Sequence, residues 1–521
     1  MLKYILLAAA WLLPCALAHA QAATPWEVAV KESIDATHVV DQPLAADGSL
    51  VPSDLTLDTS FLNTGMFAFW PTPAPPNATD IEDGLRVFPW SNCNPLCTHK
   101  GFYVVGRVKN TDGTWQSSIT RRKADGSLDL AFGTSGWMYP SSQASDVVDA
   151  ALGAGKMYIL TTVDLGGIPV MRVTCTDLAT ADSCFTGFGG FVSFGASASG
   201  AIRSAHARRI AYDARYGLFI AGRVWTTARG WELAAARLDA DTGGLVTAFH
   251  GDGTNIGLPA YAAQTAADID ILELAVTPAG NPGTARLYIA GTVKLTAADY
   301  DGFVLGLDPL SGFSTTGWLW PQVYFESDNL DFKKDAVTAL TVLRTGRVVM
   351  AGWSETDVAG ERVAFIQRVN NDNSVDSSFC TSGSYGKCRI PVRPLIGVVN
   401  DELPVAIAER YQNRDLVVAM KARTRSGDYH PAQTVMQISS SGNVLHALQT
   451  LDFAAAAGGA QWSRPFGMWV GNIAFATAPV NEVVAVVGTR FYNATDYDGT
   501  LSQLKANDSI FADPFGGSQN D

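Results

Sequence analysis

The chain has 521 residues, 47% of them hydrophobic and 17% charged, a balance that supports a sizeable core and excludes a disordered polyelectrolyte. Its formal net charge is −13, and no run of five or more Lys and Arg interrupts the acidic excess. A basic groove for a polyanion is therefore absent from the sequence, and nucleic acid is not an expected partner.

In chain order, the first predicted element is a secretory signal over residues 1–20. Lys3 precedes an apolar run from Tyr4 to Leu17, and Ala18-His19-Ala20 forms an A-x-A cleavage site before Gln21. A lipid anchor on Cys15 is the alternative, but Pro14 directly before it fits a lipoprotein signal poorly. No later run is long and apolar enough for a transmembrane helix, so the mature chain is expected to be secreted, to the periplasm or beyond. Residues 21–50 read as an N-terminal extension, and residues 51–521 as a single repeat domain.

The repeat rests on an Asp-x-x-Phe-x-x-x-Gly core. It stands as "DTSFLNTG" at Asp58, "DLAFGTSG" at Asp129, "DSCFTGFG" at Asp182 and "DSSFCTSG" at Asp376. Weaker copies are "VTAFHGDG" with Phe249, "LSGFSTTG" with Phe313, a degraded "VLHALQT" near Leu448, and "DSIFADPF" with Phe511. Eight copies bound seven periods of roughly 64 residues. Each period carries one short β-rich run with small residues at its centre, such as "FYVVGRV", "LFIAGRV", "LYIAGTV" and "VVMAGWS". A strand precedes that run and another follows it, leading into the Asp-Phe-Gly core. Such a unit cannot bury both faces alone, so the units must stack, and radial stacking predicts an all-β, seven-bladed β-propeller closed by pairing of its N- and C-terminal segments. The core then reads as a structural joint. Asp125-Gly126 makes a tight turn, Leu128 and Phe132 face the same way as inter-blade plugs, and Gly136 reverses the chain.

These residues resemble a known family. "ADGSLDLAFGTSGW", preceded by "FYVVGRV", is similar to the delta-60 repeat, a bacterial β-propeller repeat of unknown function. The resemblance runs from about Leu55 to the C-terminus, most sharply at 101–136 and 346–383. It implies the fold and supplies no catalytic residues, because a propeller hosts many functions.

Six cysteines follow the signal in close pairs, Cys93 with Cys97, Cys175 with Cys184 and Cys380 with Cys388. In an oxidising compartment they read as three short disulfide loops. Metal binding is the rival, but only His99 lies beside any of them. The remaining histidines after the signal, His38, His206, His250, His430 and His446, have no metal-ligand spacing and read as loop or hydrogen-bonded residues.

Linear enzyme signatures are missing, and no catalytic residue or cofactor is predicted. The repeated "DYDG" places Asp299 with Asp301, and Asp496 with Asp498, in hairpin loops. They are calcium candidates set against a plain turn reading. Arg121, Arg172, Arg237 and Arg368 recur at the end of the third strand. Pairing with Asp129 or Asp376 explains them more simply than an anion-binding channel does. The Pro-rich insertion of the first period brings Trp70, Phe88 and Trp90 together as a possible ligand platform, or as a lid over inter-blade apolar surface. Rigid joints with divergent loops favour a binding or scaffold propeller for a protein or glycan partner. The alternative is a hydrolase or lyase with a site at the central channel mouth, assembled from one polar residue per blade.

Overall fold

A computed structural model describes residues 55–506 except 58–65, 70–77, 94–96, 114, 141–145, 186–189, 193, 195–201, 228–229, 257–268, 279–284, 295–299, 314–333, 356–361, 372–373, 381–386, 391–401, 411–412, 423–431, 443–448, 452–461, 474–480 and 494–495. Every element in this set is a strand or a turn. Among the described residues no helix is long and apolar enough to cross a membrane.

Blade 1 consists of β3 (Ala78–Cys93), β4 (Cys97–Asn110), β5 (Trp115–Lys123) and β6 (Trp137–Met138). Blade 2 consists of β7 (Asp146–Gly153), β8 (Lys156–Asp164), β9 (Pro169–Asp177) and β10 (Phe191–Val192), and blade 3 of β11 (Ile202–Asp213), β12 (Gly217–Thr226), β13 (Gly230–Leu238) and β14 (Thr254–Ile256). Blade 4 shows three described strands, β15 (Ile269–Val276), β16 (Leu287–Lys294) and β17 (Tyr300–Leu307). Blade 5 has β18 (Asp335–Val342), β19 (Val348–Glu355), β20 (Arg362–Val369) and β21 (Lys387–Arg389), and blade 6 has β22 (Leu403–Glu409), β23 (Leu416–Ala422), β24 (Ala432–Ile438) and β25 (Gln449–Leu451).

Blade 7 takes β26 (Trp462–Ile473), β27 (Asn481–Asn493) and β28 (Asp496–Ala506) from the end of the chain and its outer edge from the beginning. There β1 (Leu55–Leu57) and β2 (Met66–Phe69) both pair antiparallel with β28, in the registers Leu57↔Leu504 and Met66↔Ser502. The strands on either side of the first Asp-Phe-Gly copy, β1 and β2, therefore belong to the last blade; the copy itself, at Asp58, lies outside the described residues. The first strand of every blade packs against those of both neighbours, β3 to β7, β11, β15, β18, β22, β26 and back to β3, so the ring is closed.

Seven second strands, β4, β8, β12, β16, β19, β23 and β27, are the β-rich runs legible in the sequence. Their recurring glycines have a specific cause. Every first strand carries a β-bulge at one place, between Gly84 and Arg86, Val147 and Asp149, Ala207 and Arg209, Ile271 and Glu273, Val337 and Ala339, Pro404 and Ala406, and Pro465 and Gly467. At a bulge the strand kinks, and a carbonyl swings toward the partner strand. A Cβ at Gly106, Gly222, Gly291 or Gly352 would collide with the carbonyl oxygen of Asp83, His206, Asp270 or Ala336 respectively. Just beyond that position, a second-strand side chain ties the blade to the next. Arg107 Nη1 donates to Val147 O (3.2 Å), Thr292 Oγ1 to Asp335 O (2.9 Å) and Thr489 Oγ1 to Asp83 Oδ1 (2.8 Å), while Thr162 Oγ1 accepts from Ala207 N (3.0 Å).

The Asp-Phe-Gly core is a joint, with one correction. Phe132 is buried with Tyr103 and Ile119 of blade 1 and with Val147 and Met157 of blade 2, whereas Leu128 packs with Trp137, Val487 and Leu501 at the interface with blade 7. The two side chains enter opposite faces, because the chain turns between them (Phe132 N to Asp129 O, 3.0 Å) instead of running straight. Leu245 and Phe249 divide in the same way between the interfaces of blade 3 with blades 2 and 4. Gly136, at φ 92°, has Leu128 packed so closely against its Cα that a side chain would clash. Phe313, in a copy lacking the Asp, is 57% exposed and rests on His250 instead of plugging an interface.

Cys175–Cys184 and Cys380–Cys388 are bonded, each within one blade, with Cα atoms 5.2 and 5.3 Å apart. Cys93 and Cys97 stand opposite each other in the register of the first hairpin; their side chains lie outside the described residues.

Candidate functional site at the channel mouth

Strand directions give the two faces of the disc different characters. Each first strand starts at the face that receives the link from the preceding blade and the hairpin between second and third strands, so the long connections, including 257–268, 391–401 and 452–461, all leave from there. The Asp-Phe-Gly turns and the hairpins between first and second strands lie at the opposite face. The links between blades thus lie on one side, and the repeated joints on the other.

The bulge marks one equivalent level on all seven first strands around the ring. Immediately after it stand Arg86, Asp149, Arg209 and Glu273 in blades 1 to 4, but Ala339, Ala406 and Gly467 in blades 5 to 7. One half of the ring is charged and the other half small. Arg86 Nε donates to Asp149 Oδ1 (2.5 Å) in blade 2, and its Nη1 reaches Phe466 O (3.4 Å) in the neighbouring blade 7. Asp149 Oδ2 also accepts from Ile210 N (3.0 Å). Burial alone would weaken the charge of Arg86, but Asp149 and Glu273 outweigh it and raise its pKa above the usual arginine value. Arg209 shifts the other way, because burial and the repulsion of Arg86 exceed the attraction of Glu273 and Asp149. Glu273 is raised by burial against the pull of both arginines, and its Oε1 accepts from Leu274 N (2.9 Å).

Three residues earlier, nearer the loop-bearing face, lie Asp83, His206 and Asp270. Asp83 is held by Arg107 Nε (2.9 Å), and Asp270 Oδ1 by Arg208 Nε (2.6 Å) and Ile271 N (3.1 Å). His206 is pulled down to about 4 by burial and by the cations Arg208 and Arg223, so it is neutral at physiological pH despite nearby Asp270. Its ring meets Trp231 edge-on (5.0 Å), Trp231 meets Trp225 (5.5 Å), and the Arg223 guanidinium lies over Trp231 at 4.1 Å. Arg107 over Trp115 (4.2 Å) repeats the stack in blade 1, and Arg362 over Trp353 (5.3 Å) in blade 5. Trp115, Trp225 and Trp231 are half-buried.

The residues singled out from the sequence lie elsewhere. Phe88 and Trp90 sit toward the joint-bearing end of β3, half-buried against the interface of blades 1 and 2, and Arg121 covers the Trp90 ring at 4.4 Å. Trp70 lies outside the described residues. Arg121 pairs with Asp129 (2.7 Å) and Arg368 with Asp376 (2.8 Å), as the recurring charge suggested. Arg172 covers Phe191 (4.8 Å), and Arg237, in a copy where Val246 replaces the Asp, donates to Tyr216 O (2.7 Å). The "DYDG" segment is strand and not hairpin loop from its second residue on. Tyr300 opens β17, and Asp301 is buried opposite Val293 because the apolar run after it belongs to the sheet. Asp299 lies outside the described residues, and Asp496 and Asp498 are placed by backbone alone in β28. Among the described residues no three His, Cys, Asp or Glu side chains could together hold a metal ion. The channel residues were missed because each blade supplies only one. A signal was present: polar pairs three apart open the first strands as Asp83 and Arg86, Asp146 and Asp149, His206 and Arg209, and Asp270 and Glu273.

No family model and no curated protein matches the chain. Among solved structures it is similar to the polysaccharide lyase Uly1, at 10% identity, with a TM-score of 0.45, covering 90% of this chain and 100% of that one. It is similar also to the β-propeller domain of the Trilobed protease from Pyrococcus furiosus (9% identity, TM-score 0.36, 82% and 98% covered) and to an endo-arabinase from Bacteroides thetaiotaomicron (11% identity, TM-score 0.32, 70% and 94% covered). The fold rests on the chain itself, which is a seven-bladed β-propeller by the closed ring of its own first strands.

Proposed function

We propose that the protein is an exported, non-enzymatic binding propeller of the delta-60-repeat type that holds a glycan on its loop-bearing face. The observation that carries this reading is the set of half-buried tryptophans there, Trp115, Trp225 and Trp231, with arginines stacked on Trp115 and Trp231. Indole rings offer rigid apolar contact to sugar faces, and guanidinium groups supply fixed donors to hydroxyl and acidic substituents. The carboxylates Asp83, Asp149 and Asp270 are each engaged by an arginine, which suits a rigid wall better than acid–base chemistry. Export is supported by the signal-like first 20 residues and the two bonded cysteine pairs. A glycan and protein array probed with the mature chain tests the reading. Trp231→Ala should weaken the glycan signal about tenfold or more without lowering the melting temperature comparably, and a response restricted to proteins overturns it.

A second reading, a lyase or hydrolase at the same mouth, is favoured by one observation. His206 is a neutral base between two arginines and near Asp270. Incubation with acidic polysaccharides, scored by new reducing ends or double bonds, decides it. Turnover by the wild type that is abolished in His206→Gln would replace the binding reading.

A further inference from the structure

Two adjacent blades hold an unmatched buried donor and an unmatched buried acceptor. Arg209 Nε is buried without a hydrogen-bond partner; the side chain donates only from Nη1, to Arg208 O (2.9 Å). Asp270, 3% exposed, uses Oδ1 twice, while its Oδ2 is buried and accepts nothing. Orphan groups of this kind cost about 1–3 kcal/mol each, so a molecule that satisfies both is bound with that much in its favour. The two residues come from adjacent blades, three positions apart in the repeat, and interact electrostatically. Across the ring, the same position after the bulge is held by the small residues Ala339, Ala406 and Gly467.

We propose that the central channel is a binding site for a hydroxylated carboxylate, the carboxylate accepting from Arg209 and a hydroxyl donating to Asp270 Oδ2. A carboxylate needs a donor, and Asp270 can accept only from a group carrying a proton, so neither a neutral sugar nor a simple fatty acid satisfies both. Arg86 and Asp149 are already paired and serve as wall. The site uses other residues than the tryptophan face, so either can fail without the other.

The chemistry is shared by free hydroxy acids and by acid sugars, and calorimetry with the mature chain separates them. Lactate represents the first source, glucuronate the second, and glucose and acetate each lack one of the two groups. Saturable heat with lactate, glucuronate or both is expected, with at least about tenfold weaker binding of glucose and acetate. Arg209→Gln should abolish the response, and Arg209→Lys should retain part of it. Asp270→Asn should remove the advantage of lactate over acetate; because Asp270 also holds Arg208, its folding is checked by melting temperature, and Arg209→Gln decides the matter if the Asn variant unfolds. No saturable heat from either acid, or unchanged heat in Arg209→Gln, overturns the proposal. Loss of array binding in Trp231→Ala with this response intact would place the two sites apart.

Discussion

Leu128 and Phe132 leave one turn in opposite directions, the first into the interface of blades 7 and 1, the second into that of blades 1 and 2. A single turn therefore clamps two interfaces. Phe132→Ala, Phe249→Ala and Phe379→Ala should each cost about 3–5 kcal/mol, read as a lower urea midpoint, because all three rings are buried. Phe313→Ala should change stability by less than about 0.5 kcal/mol, since that ring is 57% exposed.

The glycine opposite each bulge is a second sensitive point. Gly291→Ala and Gly352→Ala press a methyl group onto a main-chain oxygen that cannot swing aside. Each should destabilise by about 1–3 kcal/mol in denaturant titration. An unchanged midpoint would mean that the first-strand bulge relaxes freely.

Arg410 and Glu482 form an ion pair at 2.9 Å with both side chains 0% exposed, joining blades 6 and 7. Removing one partner leaves the charge of the other buried without this ion pair. Arg410→Met or Glu482→Gln should cost about 3–5 kcal/mol, while the double replacement by apolar residues should recover most of that loss. Equal losses in the single and double variants would show that the cost comes from packing and not from charge.

His206 makes stability depend on pH with a definite sign. Its value falls from 6.5 in the free side chain to about 4 in the fold, because of burial and the arginines beside it. Between those values the unfolded chain takes up a proton that the folded chain refuses, so stability should fall as pH drops through this window and stay flat with respect to His206 above it. His206→Gln should flatten that part of the profile. Proton NMR titration of the ring should show it neutral down to pH 5.

The bonded pair Cys175–Cys184 closes a short loop, with a sequence separation of 9. Replacing both residues with Ser should cost about 2–3 kcal/mol by the loop-entropy relation, and reduction of the native protein, which opens Cys380–Cys388 as well, should cost more. Blade 2 should remain in place, because the bond spans no blade boundary.

Seven units and their closure were legible because the Asp-Phe-Gly turn is local chemistry. Asp129 accepts from Ala131 N and from Arg121, and Asp376 meets the same demands with Ser378 N and Arg368. The opposed directions of Leu128 and Phe132 were not legible, since four residues of turn have no fixed side-chain period. The bulge was hidden as well, because a register shift leaves no mark in composition, although the glycine facing it did. The channel charges Arg86, Asp149, Arg209 and Glu273 lie far apart in the chain and share nothing but their place after the bulge, so only alignment of the first strands brings them to one level. Aromatic content drew attention to Phe88 and Trp90, whereas Trp115, Trp225 and Trp231 follow from strand direction.

Because β1 and β2 lie along the outer edge of β28, residues near Leu57 wait for those near Leu504 throughout synthesis. The first blades can stack as they emerge, but the sheet edge of β28 stays open until the two ends of the polypeptide find each other. Zipping that seam is the step at which an unfinished spiral becomes a wheel. Chains cut short before β28 are left with no seam to zip.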